Sequence, residues 1–89
     1  MMYHYMTVNS LGGLEVCHSE TRPDGTVLVH FELPDEKLGF KEADFILPTY
    51  SISRNMGFSQ DELGVLTELC RDNAHLILTY SRTGGIANA

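Results

Sequence analysis

Eighty-nine residues, 43% hydrophobic and 20% charged, describe one folded domain with a thin core, because a chain of this size buries only about 60–65% of the surface it exposes when extended. That composition excludes a disordered chain, a collagen-like rod and a coiled coil, and no apolar window approaches the roughly 18 residues that would suggest a membrane span. Six basic against twelve acidic residues give a formal charge of −6, which puts nucleic-acid backbones and anionic membrane surfaces at a disadvantage as partners.

The opening stretch, MMYHYMTVNSLGG, has no Lys or Arg ahead of its apolar residues and does not read as a secretory signal, so a cytoplasmic location is expected. Tyr3 to Asn9 is aromatic and β-branched and too short for a stable helix, which predicts a strand. Ser10-Leu11-Gly12-Gly13 supplies a turn with two glycines free to take positive φ. Leu14 to Glu20 is the second expected strand and Thr26 to Leu33 the third, joined by Arg22-Pro23-Asp24-Gly25, a good type I turn.

The third strand alternates: Val27, Val29, Phe31 and Leu33 face one way, Leu28, His30 and Glu32 the other. If Arg22 to Gly25 form a four-residue loop, Val16 faces Phe31 and Leu14 faces Leu33, apolar against apolar. A three-residue Pro23-Asp24-Gly25 loop closes Arg22 on Thr26 and puts Cys17 opposite Phe31. A one-residue slip flips every side chain, so the first register is preferred. It sets Cys17 opposite His30 on the outer face and His18 opposite Val29 on the core side.

Pro34 to Gly39 reads as a loop or a single helical turn. A fourth strand is expected near Glu42 to Leu47, at a sheet edge that Asp44 and Pro48 help to block. Thr49 to Gly57 reads mostly as a connection, with a short extended piece around Tyr50 to Ser53. Ser59-Gln60-Asp61-Glu62 is a capping box, with Phe58 and Leu63 as its hydrophobic staple, and it starts a helix expected to end near Asn73. Leu63, Val65, Leu66, Leu69 and Cys70 share its apolar arc, whereas Gln60, Gly64, Thr67, Glu68 and Arg71 share the polar one. Leu76-Ile77-Leu78 is apolar without alternation and reads as a covered strand.

The expected fold class is therefore α+β: a small two-layer domain, an antiparallel meander of four to five strands with one helix at about 59–73 on one face, then an apolar strand at about 75–80. It spans 1–89 as a single domain, with 82–89 a flexible tail that frays beyond Gly84.

Candidate chemistry centres on His18, His30 and Cys17. Cys17 beside His30 has the residue types of an imidazole-activated thiolate, although no third group is identified. Cys17 and Cys70 are too few for a disulfide framework and are expected reduced and buried. In the preferred register His18 and His30 point to opposite faces, which removes a two-His metal site; in the alternative register they would be directly opposite and could both reach a metal, with Glu20 or Glu32 nearby, although neither His has zinc-site spacing. His4 and His75 read as ordinary surface or part-buried residues. Gly12-Gly13 and Gly84-Gly85 are lone doublets without a phosphate-binding motif. No metal and no cofactor are expected.

Tyr50, Arg54, Gly64, Thr67 and Arg71 are the candidate interaction residues, since Tyr and Arg favour protein contacts and Gly64 sits mid-helix where it costs about 1 kcal/mol relative to Ala. The uncovered sheet face, with Leu28 and Ile46 upon it, predicts closure by a second copy. The expected function is a small accessory or regulatory protein acting through protein contacts, homodimeric. The alternatives are a small enzyme subunit with a His-centred site at a subunit interface, and a nucleic-acid module in which Arg54, Arg71 and Arg82 converge.

Overall fold

Five strands and one helix follow one another in the computed structural model, which describes residues 1–84. They are β1 (Met2–Val8), β2 (Leu14–Ser19), β3 (Val27–Asp35), β4 (Gly39–Leu47), β5 (Ser51–Met56) and α1 (Gln60–Ser81), with a short 3₁₀ turn at Asn9–Leu11. The strands form one antiparallel sheet in the order β1-β2-β3-β4-β5. The protein is a small α+β domain with one C-terminal helix packed on its meander. The expected tail beyond Gly84 lies outside the described residues; Arg82 to Gly84 continue the helix as a turn, with the Thr83 amide donating to the Tyr80 carbonyl at 3.0 Å.

The period-2 pattern of β2 and β3 sends Leu14, Val16, Val27, Val29 and Phe31 inward, and β4 adds Ala43, Phe45 and Leu47. Val16 faces Phe31 and Cys17 faces His30, the register that apolar matching favours. The hairpin loop nevertheless closes as the three-residue alternative, with the Arg22 amide donating to the Thr26 carbonyl at 2.8 Å. One surplus residue in Ser19-Glu20-Thr21 reconciles the two. There the Leu28 amide donates to the Ser19 side-chain oxygen, at 2.9 Å, and the Thr21 amide leaves the sheet for the Ser81 carbonyl at the helix end, at 3.1 Å.

Three expectations are corrected. β4 is not an edge: it lies between β3 and β5. The connection after Pro48 contains a true strand, β5, all of whose residues are exposed. Burial gives it no hydrophobic pattern, so the residues suggest only a short extended piece around Tyr50 to Ser53 within a connection, where the strand runs on to Met56. Both real edges carry a register shift, around Tyr5 in β1 and Ser53 in β5, and such bulges discourage further strand pairing.

The third correction concerns the helix. The capping box forms as expected, with the Ser59 amide donating to Glu62 Oε1 at 2.8 Å and the Glu62 amide to Ser59 Oγ at 3.2 Å, and Phe58 and Leu63 both join the core. The helix does not end at Asn73, and there is no strand at 75–80. Cys70, Ala74, Ile77 and Ser81 recur every three or four residues on the covered side, so the helical period runs on through the apolar triplet. Asn73 is spent inside the helix: its Nδ2 donates to the Leu69 carbonyl, and its Oδ1 accepts from the Tyr5 hydroxyl at 2.8 Å. Val65 and Leu76 face solvent.

α1 lies across β2, β3 and β4. Lys41 on β4 clamps its first turn by donating to both Glu62 carboxylate oxygens, at 3.2 and 3.0 Å. Gly57, at φ +97°, brings the chain from β5 into the helix so closely that a Cβ there would sit 2.7 Å from the Leu38 side chain.

Candidate metal centre

The alternation that fills the core places the opposite set of side chains on the uncovered face. Two cross-strand rows, polar but for Met56 at one end, run over its centre. One is His4, Cys17, His30, Asp44 and Arg54; the next is Thr7, Glu15, Glu32, Glu42 and Met56. Side chains directly opposite on neighbouring strands sit about 4.5–5.5 Å apart at Cβ, and like charges so placed repel. Glu15, Glu32 and Glu42 occupy three adjacent strands in one row, with Asp44 beside them. Four carboxylates thus share this part of the face with two imidazoles and one guanidinium, and Glu15 is already engaged, by His4 Nε2 at 2.9 Å and by the Thr7 hydroxyl at 2.9 and 3.0 Å.

His30 is the hub. Its Nδ1–H donates to Asp44 Oδ1 at 2.6 Å, which fixes the ring and turns Nε2 towards the glutamates, 3.5 Å from Glu32 Oε1 and 3.6 Å from Glu42 Oε1. One donor atom from each of His30, Glu32 and Glu42 lies within 4.8 Å of the other two. Ligands held about 2.0–2.2 Å from a transition-metal ion are about 3–3.5 Å apart, so the trio needs only a small contraction to chelate. A carboxylate on the far ring nitrogen is the usual support of a metal-bound histidine, setting its tautomer and raising its basicity. Arg54 Nη2 stands 3.7 Å from the other oxygen of Glu42.

Of the sequence candidates, His30 and Cys17 meet on this face and His18 does not. His18 is wholly buried on the core side. Its Nδ1–H donates to the Ser19 carbonyl at 2.8 Å, its Nε2 has no partner, and the rings of Tyr3 and Tyr5 lie 5.8 and 6.5 Å away. It packs, and nothing can reach it. Cys17 is half-buried rather than buried, and both thiols are free. Burial, then Glu15 and Glu32, push the Cys17 thiol above its ordinary range, which works against a thiolate, while the His30 ring is turned towards carboxylates. Burial alone pushes Cys70 up to about 12.

The interaction candidates divide between the two sides. Arg71 stacks 5.1 Å over the Tyr50 ring, and Tyr50, half-buried with φ +63° in the β4–β5 turn, packs against the core. Thr67 donates to the Leu63 carbonyl within the helix. Gly64 has open space where a Cβ would sit, so nothing in its own chain requires a glycine there. Arg54 stands on the opposite face beside Glu42. Arg82 caps the helix about 16 Å of axial rise beyond Arg71, so the three arginines form no common cluster.

Glu42 was missed, and Glu32 was expected near a metal only in the register that the strands do not adopt. Glu32 is visible as the alternate neighbour of His30, but Glu42 joins it only through the β3–β4 register. A small apolar recess of about 130 Å³ also opens between Leu11, Leu14, Leu33, Val65 and the helix start; its one titratable group, Glu62, is held by Ser59 and Lys41. No helix among the described residues is long and apolar enough to cross a membrane. No protein-family model, curated protein or solved structure matches the chain.

Proposed function

We propose that this protein is a small divalent-metal-binding domain, with His30, Glu32 and Glu42 as ligands and Asp44 as the residue that positions His30. The observation that carries the reading is the orientation of one ring: Asp44 holds Nδ1 while Nε2 meets two carboxylates at near-chelating distance. One imidazole and two carboxylates suit a first-row ion such as Zn²⁺ or Mn²⁺. Three protein ligands leave positions open for water and substrate, the arrangement of a catalytic rather than a closed structural centre. The reading therefore favours a His-centred enzyme subunit over a purely accessory protein.

A bare sheet excludes no water, and this is where the expected homodimer retains a place. Phe40 and Met56 lie beside Glu42 and are about half exposed, at 48% and 45%, so a second copy seated here would cover apolar surface and enclose the metal.

Calorimetric titration of Zn²⁺ and Mn²⁺ into the purified protein tests the centre. One ion per chain is expected, lost in His30→Ala and in Glu42→Gln, and weakened about 10–100-fold in Asp44→Asn. Equal affinity in wild type and His30→Ala would sink the proposal. Light scattering with and without metal tests the second copy, and a monomer in both states at high concentration removes it.

A further inference from the structure

The one arginine in the two central rows stands where a ligand of the metal would need it. Arg54 follows Asp44 in its cross-strand row and lies next to Glu42. Its side chain is 45% exposed, and the guanidinium approaches Glu42 Oε2 only to 3.7 Å, an ion-pair distance too long for a hydrogen bond. That loose contact does not engage the planar fork of donors that matches a carboxylate or phosphate two oxygens at a time.

An ion held by His30 Nε2, Glu32 Oε1 and Glu42 Oε1 would sit on the same side of the sheet as Arg54. Glu42 joins the two: one carboxylate oxygen would touch the ion while the other faces the guanidinium. Glu42 spans the two in the way that an added oxyanion would, with one oxygen within reach of the ion and the other 3.7 Å from the Arg54 nitrogen. Without the ion, four carboxylates on this face repel any anion. With it, a dication and an arginine side by side attract one.

We propose that the ligand of this face is a small oxyanion, a carboxylate or phosphate group, bridging the metal ion and the Arg54 guanidinium. The inference rests on the metal reading above and adds the class of molecule that the centre takes. It makes Arg54 a ligand-binding residue rather than a protein-contact residue, and makes anion binding conditional on the metal.

The test is calorimetric titration of inorganic phosphate and, separately, malonate into the Zn²⁺-loaded and the metal-free protein. One anion per chain is expected for the loaded protein and none without Zn²⁺, and the tighter of the two probes identifies phosphate or carboxylate as the group recognised. Arg54→Gln is expected to weaken the anion by about tenfold or more, and Arg54→Lys to recover part of the loss. Zn²⁺ affinity in anion-free buffer should be unchanged or tighter in Arg54→Gln, because a positive charge has left the neighbourhood of the ion. Anion affinity within twofold of wild type in Arg54→Gln, or equal affinity without Zn²⁺, overturns the inference while leaving the metal centre standing. Failure of wild-type protein to bind Zn²⁺ at all overturns the centre, and this inference with it.

Discussion

The two faces of the sheet are made by the same strands and are chemically opposite. On the covered face, Phe31 and Phe45 meet edge to face at 5.3 Å, among Val, Leu and Ile side chains that are almost wholly buried. On the open face, the residues one step along each strand put Glu15, Glu32 and Glu42 side by side. Apolar side chains that meet across strands support one another, whereas carboxylates that meet repel. A face selected only for solubility would intersperse its charges. This one sets four carboxylates against His4, His30 and Arg54, with Glu32 between two other glutamates in its row, and a row of like charges is expected to cost stability in the empty protein.

The contrast is broken most directly from the covered side. Phe45→Ala removes a wholly buried ring from the middle of the core and is expected to cost about 3–5 kcal/mol. Total stability for a chain of this length is roughly 4–13 kcal/mol. Urea unfolding should show a large fall in midpoint, and a loss under about 1 kcal/mol would mean that the core lies elsewhere.

From the open side the expected effect is smaller and conditional. Zn²⁺ at about 100 times its dissociation constant should stabilise the folded chain by about 2.7 kcal/mol, a rise in Tm on the order of 10–20 °C for a domain of this size. His30→Ala should abolish the rise without lowering the metal-free Tm by a comparable amount. If metal raises the Tm of both proteins equally, the ion is bound somewhere else.

These two experiments also mark what could be read from the residues alone. The covered face was legible because burial imposes a pattern: alternation in β2 and β3 fixes Val16 against Phe31, and Ser59 with Glu62 fixes the helix start. β5 imposes none, since both of its faces are exposed. The trio able to chelate a metal needed one register that Pro34 concealed. A proline reads as the end of a strand, yet β3 continues through Pro34, which pairs with Phe40, to Asp35 opposite Gly39. Asp35 Oδ2 accepts the Lys37 and Leu38 amides and so shapes the turn. Counting back from that closure puts Glu32 opposite Glu42 and His30 opposite Asp44. The helix end was obscured in the same way, by an asparagine whose side chain bonds within the helix and to Tyr5 instead of capping.

Where helix and sheet meet, one carboxylate connects local structure to pH. The Ser59 amide first, and then Lys41, hold the Glu62 carboxyl below its ordinary 4.5. A carboxylate favoured in the folded state stabilises it at pH values above the ordinary one, and that contribution is lost as pH falls through the lowered folded value. Ser59→Ala should cost about 1 kcal/mol at neutral pH. It should also shrink the part of the acid destabilisation below about pH 4.5 that Glu62 supplies, since one of the groups favouring its ionised form is weakened. An unchanged acid limb would mean that the Ser59 amide, which the substitution keeps, and Lys41 hold Glu62 without help from the hydroxyl.

The smallest effect has the opposite sign, and it separates the faces most cleanly. Glu32→Gln removes the middle carboxylate of the row and relieves repulsion from both Glu15 and Glu42, at the expense of a 3.5 Å contact with His30. Metal-free stability at low salt, where surface charges are least screened, should stay level or rise by about 0.2–1 kcal/mol. The same substitution should abolish the Zn²⁺-dependent rise in Tm. Gain without metal and loss with it is what a ligand produces, because its charge is useful only when the ion is present. A residue kept for structure behaves otherwise: if Glu32→Gln lowers metal-free stability by more than about 1 kcal/mol, then Glu32 and His30 hold the sheet together as an ion pair, and the open face has no need of a cation.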